Sequence, residues 1–256
     1  MDIQFSATPQ MFGVFHIAAL AVIALGCVGA YFALRRMDET RLLRLIWILG
    51  GVMLAMEVWK QGFSWVYVFD RQINLWFFPW QLCSMAMYCA FAVRFVRGQR
   101  QNTLLVFLST FSLFAAVVAL AVPSDMLRPY VLLTVHGFLY HGLMIVLALA
   151  AMLVVFRREN VQFAPAVRLF VWMAAVAEII NVAAHSLLHD IHREPNMFFI
   201  TPYYESTQPV LHEIALKLGI PAEIAIYLLS IIAISFGVFC AERALMKKRP
   251  PRAGDA

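Results

Sequence analysis

Charge is scarce in this chain of 256 residues: Asp, Glu, Lys and Arg together make up 14% of it, against about 25% in an ordinary soluble domain. So little charge cannot coat a globular surface with hydrated groups. The hydrophobic fraction of 62% and the mean hydropathy of +0.77 complete that exclusion, since soluble domains hold about 45–50% apolar residues. Cysteine is equally sparse. Cys27, Cys83, Cys89 and Cys240 form no C-x-x-C pair and leave no pair in a polar connection, which argues against a disulfide framework. The sequence also has no internal repeat, no low-complexity linker and no Gly-rich phosphate loop. The Gly26 to Gly29 spacing is too weak to read as a packing motif.

What the chain does have is long apolar runs, near 11–34, 43–63, 74–96, 103–122, 130–156, 166–188 and 219–242. About 20 such residues cross the hydrocarbon core as a helix. The expectation is an all-α, polytopic seven-transmembrane-helix bundle forming a single domain, with an outer loop over 189–218 and a basic tail over 243–256. Basic residues near span ends are retained on the cytoplasmic side. Of the 20 Lys and Arg, 15 fall in the loops after the first, third and fifth runs and in the tail. Only Lys60, Arg71, Arg128, Arg193 and Lys217 fall on the other side. This split predicts an outer N-terminus and a cytoplasmic C-terminus, which an odd span count requires. The sequence pI of about 9.2 then implies contact with anionic inner-leaflet lipid and no nucleic-acid partner. Met1–Gln10 contains Asp2 and no basic residue, unlike a cleaved signal peptide.

Ionisable and thiol groups inside a bilayer are costly, so a collection of them at one depth reads as a site. Here they gather in the outer halves of the spans. His16 lies about two turns into the first, Glu57 near the outer end of the second, and Cys83 about 10–15 Å down the third. His136 and His141 occupy the outer half of the fifth. On the sixth, Glu178, Asn181, His185, Ser186 and His189 follow steps of three and four and share one face. Lipid cannot satisfy that face, so it is expected to turn inward, opposite Cys83, around a cavity open to the outer side. The bland alternative is a hydrogen-bonded seam between helices.

Cysteines in such helices are mostly small packing residues, and Cys27, Cys89 and Cys240 read that way. Cys83 differs in context, in Trp76-Phe77-Phe78-Pro79-Trp80-Gln81-Leu82-Cys83. Pro79 suits a first helical turn, so the regular helix is expected to begin there. The thiol then lies near a helix N-terminus, where backbone N–H groups favour thiolate. A histidine could activate it further. His136 and His141, five residues apart, are separated by about 140° around their helix, and are not expected both to face Cys83. Spacing alone does not choose between them.

The aromatic-Pro-x-x-Leu-Cys approach to the third span, the early His16, a histidine in the fifth span and Asn196-Met197-Phe198 after the sixth resemble the bacterial YwaF-like integral membrane family, related to eukaryotic transmembrane protein one-six-four. That relative is described as a lysophospholipid acyltransferase requiring a cysteine and a histidine. The resemblance implies Cys83 as nucleophile and His141 as its partner, with His136 the alternative. It also implies membrane lipids as donor and acceptor, no cofactor, and a bacterial inner-membrane location. Gln81 departs from the pattern, since many relatives carry histidine two residues before the cysteine. Gln81, Asn181 or free backbone N–H groups near Pro79 could stabilise an oxyanion. Asn196 belongs to the shared motif. The long connection after the sixth span, with Tyr203 and Tyr204, either covers the cavity or anchors at the headgroup level.

Two other readings compete. His185 and His189, one turn apart, with His192, could chelate zinc with Glu178 or His141 in a membrane lipid hydrolase. Hydrolases of the ceramidase type, however, place their histidines in the last helix, which here has none. Alternatively, Glu178 near mid-membrane could mark a transporter or small-molecule binding bundle.

Overall fold

The computed structural model describes residues 3–72, 74–188, 195–206 and 209–247. Among the described residues, nine α-helices and no strand form. A lone bridge between Gln4 and Tyr130 ties the N-terminal segment to the start of the sixth helix. Among the described residues, six helical stretches are long and apolar enough to cross a membrane: α1 (Val14–Leu34), α2 (Glu39–Tyr67), the continuous pair α4 (Gly98–Phe107) and α5 (Leu113–Ala121), α6 (Val131–Val155), α7 (Ala164–Leu188) and α9 (Ile220–Lys247).

The expected third span is not one helix over 74–96. Asn74 accepts a hydrogen bond from the Trp76 N–H and starts a 3-10 turn, Leu75–Phe77. Phe78 is extended at ψ 132°, as a residue preceding proline must be. Gln81 is extended too, at ψ 159°, so α3 (Leu82–Ala92) begins three residues after Pro79 rather than at it. With the 3-10 turn Val93–Phe95 at its end, this apolar helix is only about 20 Å long. The connection over 189–218 also departs from expectation. It contains an amphipathic helix, α8 (Pro209–Leu218), joined to α9 at Gly219, whose φ of 85° only glycine adopts freely.

Local sequence accounts for the other boundaries. The Asp38 side chain accepts from the Arg41 N–H and caps α2, with Glu39 in the first turn. Between α4 and α5 the helix widens into a π turn, Leu108–Ser112. There the hydroxyls of Ser109 and Thr110 both donate to the Val106 carbonyl, and such back-bonding competes with the helical ladder.

α6 is the central element, packing on α1, α2, α4 and α5. In its most apolar window 61% of residues are buried, against 6% in α1 and 11% in α9, so the latter two are the lipid-facing rim. The core joins Leu42, Ile46 and Met53 of α2, Met85 and Ala90 of α3, Met144 and Leu147 of α6, and a stack of Phe107, Phe111 and Phe170. At the end away from Gly219, Arg158 binds Glu39 at 2.6 Å, Asn102 and Gln101, which fastens the α6–α7 loop to α2 and α4.

Candidate functional site

The helices enclose a cavity of about 610 Å³, within the range of small-molecule sites. One wall is the short α3 and its approach: Trp76, Phe77, Phe78, Gln81, Leu82, Cys83 and Ser84. Facing these, α5 and its C-cap supply an apolar stripe of Phe114, Ala115, Val118, Ala119 and Val122, and α6 supplies His136, Gly137, Tyr140 and His141. Phe199, Leu211 and Tyr227 close the remaining side. Charged groups concentrate at one end, with Glu57 and Lys60 from α2 and Asp125 and Arg128 from the α5–α6 loop. Tyr140 and His141 lie about 14 Å along α6 from that loop.

Cys83 is the second residue of α3 and lines this cavity. The Gln81 carbonyl takes the N–H groups of Ser84 and Met85, while those of Leu82 and Cys83 precede the helical ladder and have no intrahelical acceptor. Lys60 lines the same cavity as Cys83, His136 and His141.

Both histidines of α6 border the cavity that Cys83 lines, since the cavity wraps around the helix rather than meeting it along a line. Their hydrogen bonds tell them apart. His141 Nδ1 lies 2.7 Å from the Gly137 carbonyl, one turn back. A carbonyl only accepts, so Nδ1 carries the hydrogen and Nε2 keeps a lone pair. His136 Nε2 lies 3.1 Å from the Met56 carbonyl, and its ring stacks on Trp59 with centroids 5.5 Å apart. That nitrogen is therefore a donor committed to α2. Neither imidazole hydrogen-bonds the Cys83 sulfur.

The rest of the expected cluster separates. His16 is fully buried and structural: Nδ1 accepts from the Phe12 N–H and Nε2 donates to the Leu120 carbonyl, both at 2.9 Å, pinning the start of α1 to the end of α5. The described residues of the α7 stripe, Glu178, Asn181, His185 and Ser186, do not line the cavity. Asn181 exchanges two hydrogen bonds with the Met197 peptide, at 2.7 and 3.2 Å, and His185 stacks on Tyr203 with centroids 3.5 Å apart. Ser186 bonds its own helix at Val182, and Glu178 keeps one buried oxygen without a hydrogen-bond partner. His189 and His192 lie outside the described residues. Among the described residues no three His, Cys, Asp or Glu side chains gather as metal ligands.

What separates α7 from the cavity is the segment Asn196–Phe199. Gln81 donates to the Asn196 carbonyl and accepts from the Phe198 N–H, each at 2.8 Å, and the buried Asn196 accepts from the Thr201 N–H. Gln81 and Asn181 thus grip one segment from two sides. Their grip holds Phe198 and Phe199 at φ of 59° and 57°, which costs a bulky L-residue about 1–2 kcal/mol each. Gln81 still lines the cavity, but both ends of its amide are already bonded.

Sequence reasoning missed Tyr140, Tyr227, Lys60 and Arg128 as cavity residues. Tyr140 places its hydroxyl 3.5 Å from the Cys83 carbonyl. Its only signal was adjacency to His141. Lys60 and Arg128 are two of the five cations away from the basic side, and that position is their signal in the sequence.

Fold and site together define a multi-pass helical membrane protein whose spans surround an intramembrane cavity lined by a thiol and two imidazoles. The chain belongs to the TMEM164 family, whose sequence model matches residues 11–240 and so takes in every residue of the cavity. No curated protein and no solved structure matches it.

Proposed function

We propose that this protein is a lipid acyltransferase, of the YwaF-like bacterial branch of its family, that moves an acyl chain from a phospholipid to a lysophospholipid through Cys83. The observation that carries the reading is the company Cys83 keeps: a helix N-terminus, an imidazole with a free Nε2 lone pair, and an apolar α5 wall suited to an acyl chain, all on one cavity.

In the first half-reaction His141 Nε2 takes the thiol proton and the thiolate attacks the ester carbonyl. Collapse of the tetrahedral adduct breaks the C–O bond, and the proton on His141 goes to the departing lysolipid. In the second, His141 takes the acceptor hydroxyl's proton, the alkoxide attacks the thioester, and Cys83 leaves as thiolate to be reprotonated. The N–H groups of Leu82 and Cys83 are the oxyanion donors, because the amides of Gln81 and Asn181 are spent on residues 196–198. Each good donor contributes about 3–4 kcal/mol to such a transition state. Sulfur and imidazole come within bonding reach only once the ester is seated, as apo sites commonly require.

The same reading makes the short α3 a seventh crossing, completed by the irregular residues 74–81. Non-helical backbone is tolerated at that depth where it lines a cavity. An odd count puts the N-terminus outside, the C-terminus in the cytoplasm, and the charged end of the cavity at the outer face of a bacterial inner membrane. Purified protein in nanodiscs, given a phospholipid labelled in its acyl chain and a lysolipid acceptor, is expected to form labelled diacyl product. Transfer by Cys83→Ala at the wild-type rate would remove the nucleophile assignment.

A further inference from the structure

Lys60 and Arg128 come from separate elements yet converge on one ring. Lys60 Nζ lies 5.7 Å, and the Arg128 guanidinium carbon 5.1 Å, from the centroid of Phe77. All three line the cavity at its charged end. Bringing two cations together in a partly desolvated place is unfavourable unless something anionic joins them. The acids present fill that role only in part. Glu57 pairs with Lys60 at 2.8 Å and with Gln61. Arg128 Nε donates to the Asp125 backbone carbonyl at 2.9 Å, which orients the guanidinium, while its two terminal amino groups have no hydrogen-bond partner among the described residues. Burial pulls the Arg128 pKa down from its ordinary value, and the Asp125 charge only partly opposes this. A planar guanidinium with a free terminal edge matches two oxygens of a phosphate, and an ammonium held against the same ring can supply a point charge for a third.

We propose that Lys60 and Arg128, both held against the ring of Phe77, form a phosphate-binding subsite at the charged end of the cavity. Its ligand is a phosphate ester, carried by a lipid headgroup or free in the aqueous phase. That this phosphate belongs to the substrate rests on the acyl-transfer reading; the subsite itself does not.

Binding is measured on the Cys83→Ser protein in detergent, so that no turnover intervenes. Three probes are titrated: a single-chain phosphoglycerol lipid, the monoacylglycerol of the same chain, and inorganic phosphate. The phosphorylated lipid is expected to bind at least about tenfold more tightly than the phosphate-free one, the minimum for charge-assisted bonds. Lys60→Met and Arg128→Met should each erase that preference and leave monoacylglycerol binding unchanged, whereas Lys60→Arg should retain it. Competition by inorganic phosphate at millimolar concentration identifies a free phosphate as a ligand; its failure to compete assigns the site to the headgroup. Equal binding of the two lipids to the parent protein overturns the proposal, as does an Arg128→Met protein that keeps the preference. Should Arg128→Met not fold, the Lys60→Met and Lys60→Arg pair decides alone. Phosphate preference without any acyl transfer by the Cys83-containing protein refutes the acyltransferase and spares the subsite; transfer without preference does the reverse.

Discussion

Replacing Asn181 by leucine, nearly its equal in size, tests whether residues 196–199 are a clamped wall or a passive loop. Asn181 is 1% exposed, and both of its amide ends are bonded to the Met197 peptide. Leucine removes two hydrogen bonds and leaves one N–H and one carbonyl in an apolar seam. Buried polar groups stranded in this way cost about 1–3 kcal/mol each in soluble proteins, while bonds between membrane helices average about 0.6 and reach about 1.7 kcal/mol. For two groups the expected loss is therefore about 1–4 kcal/mol. The released segment also gains by letting Phe198 and Phe199 leave the left-handed region, which moves Phe199 away from the cavity and opens its side. Two readouts follow from one variant. Unfolding in mixed micelles against SDS mole fraction should show the lost stability. Alkylation of Cys83 by a maleimide, in a background where Cys27, Cys89 and Cys240 are serine, should speed up severalfold. Ser186→Ala serves as control, since that hydroxyl bonds only its own helix, and is expected within about 0.5 kcal/mol of the parent. If Asn181→Leu matches the control in both stability and labelling, the clamp does not shape the cavity.

Adjacent glycines of α2 should respond with opposite signs to the same change. A Cβ on Gly50 would sit 2.5 Å from the Phe91 backbone nitrogen and 2.9 Å from the Ala90 carbonyl carbon, so Gly50→Ala should push α3 away and cost about 1–3 kcal/mol. Gly51 has nothing within 4 Å, and Gly51→Ala should be neutral or gain up to about 1 kcal/mol of helix propensity in the same unfolding assay. The two histidines should separate kinetically. His141→Gln should lower acyl transfer by about a hundredfold or more, as loss of a general base does. His136→Gln, whose amide can still donate to the Met56 carbonyl, should lose tenfold or less. Equal losses would make the histidine assignment wrong.

Solvent alone explains why so much of the architecture could be read from the sequence. Hydrocarbon leaves a helix no choice but to be long and apolar, so six of the expected spans fall within a few residues of the observed ones. The exception follows from Pro79, after which the chain stays extended to Gln81, so that α3 begins three residues later than a first-turn proline predicts. Helical spacing likewise put Glu178, Asn181 and His185 on one face of α7, as a period of 3.6 requires.

Which partner meets that face is another matter, because it depends on chain packed from elsewhere. Residues 196–199 reach α7 first and turn Asn181 into a clamp, and the carbonyl of Leu120 claims His16. Local sequence marked Cys83 as unusual through Pro79 and the helix start beside it. Only the packing of α2, α3, α5 and α6 set it in the same cavity as His136 and His141, and left His141 with the free Nε2. The same packing brought Lys60 and Arg128 onto one aromatic ring from positions 68 residues apart, a convergence that no helical period encodes.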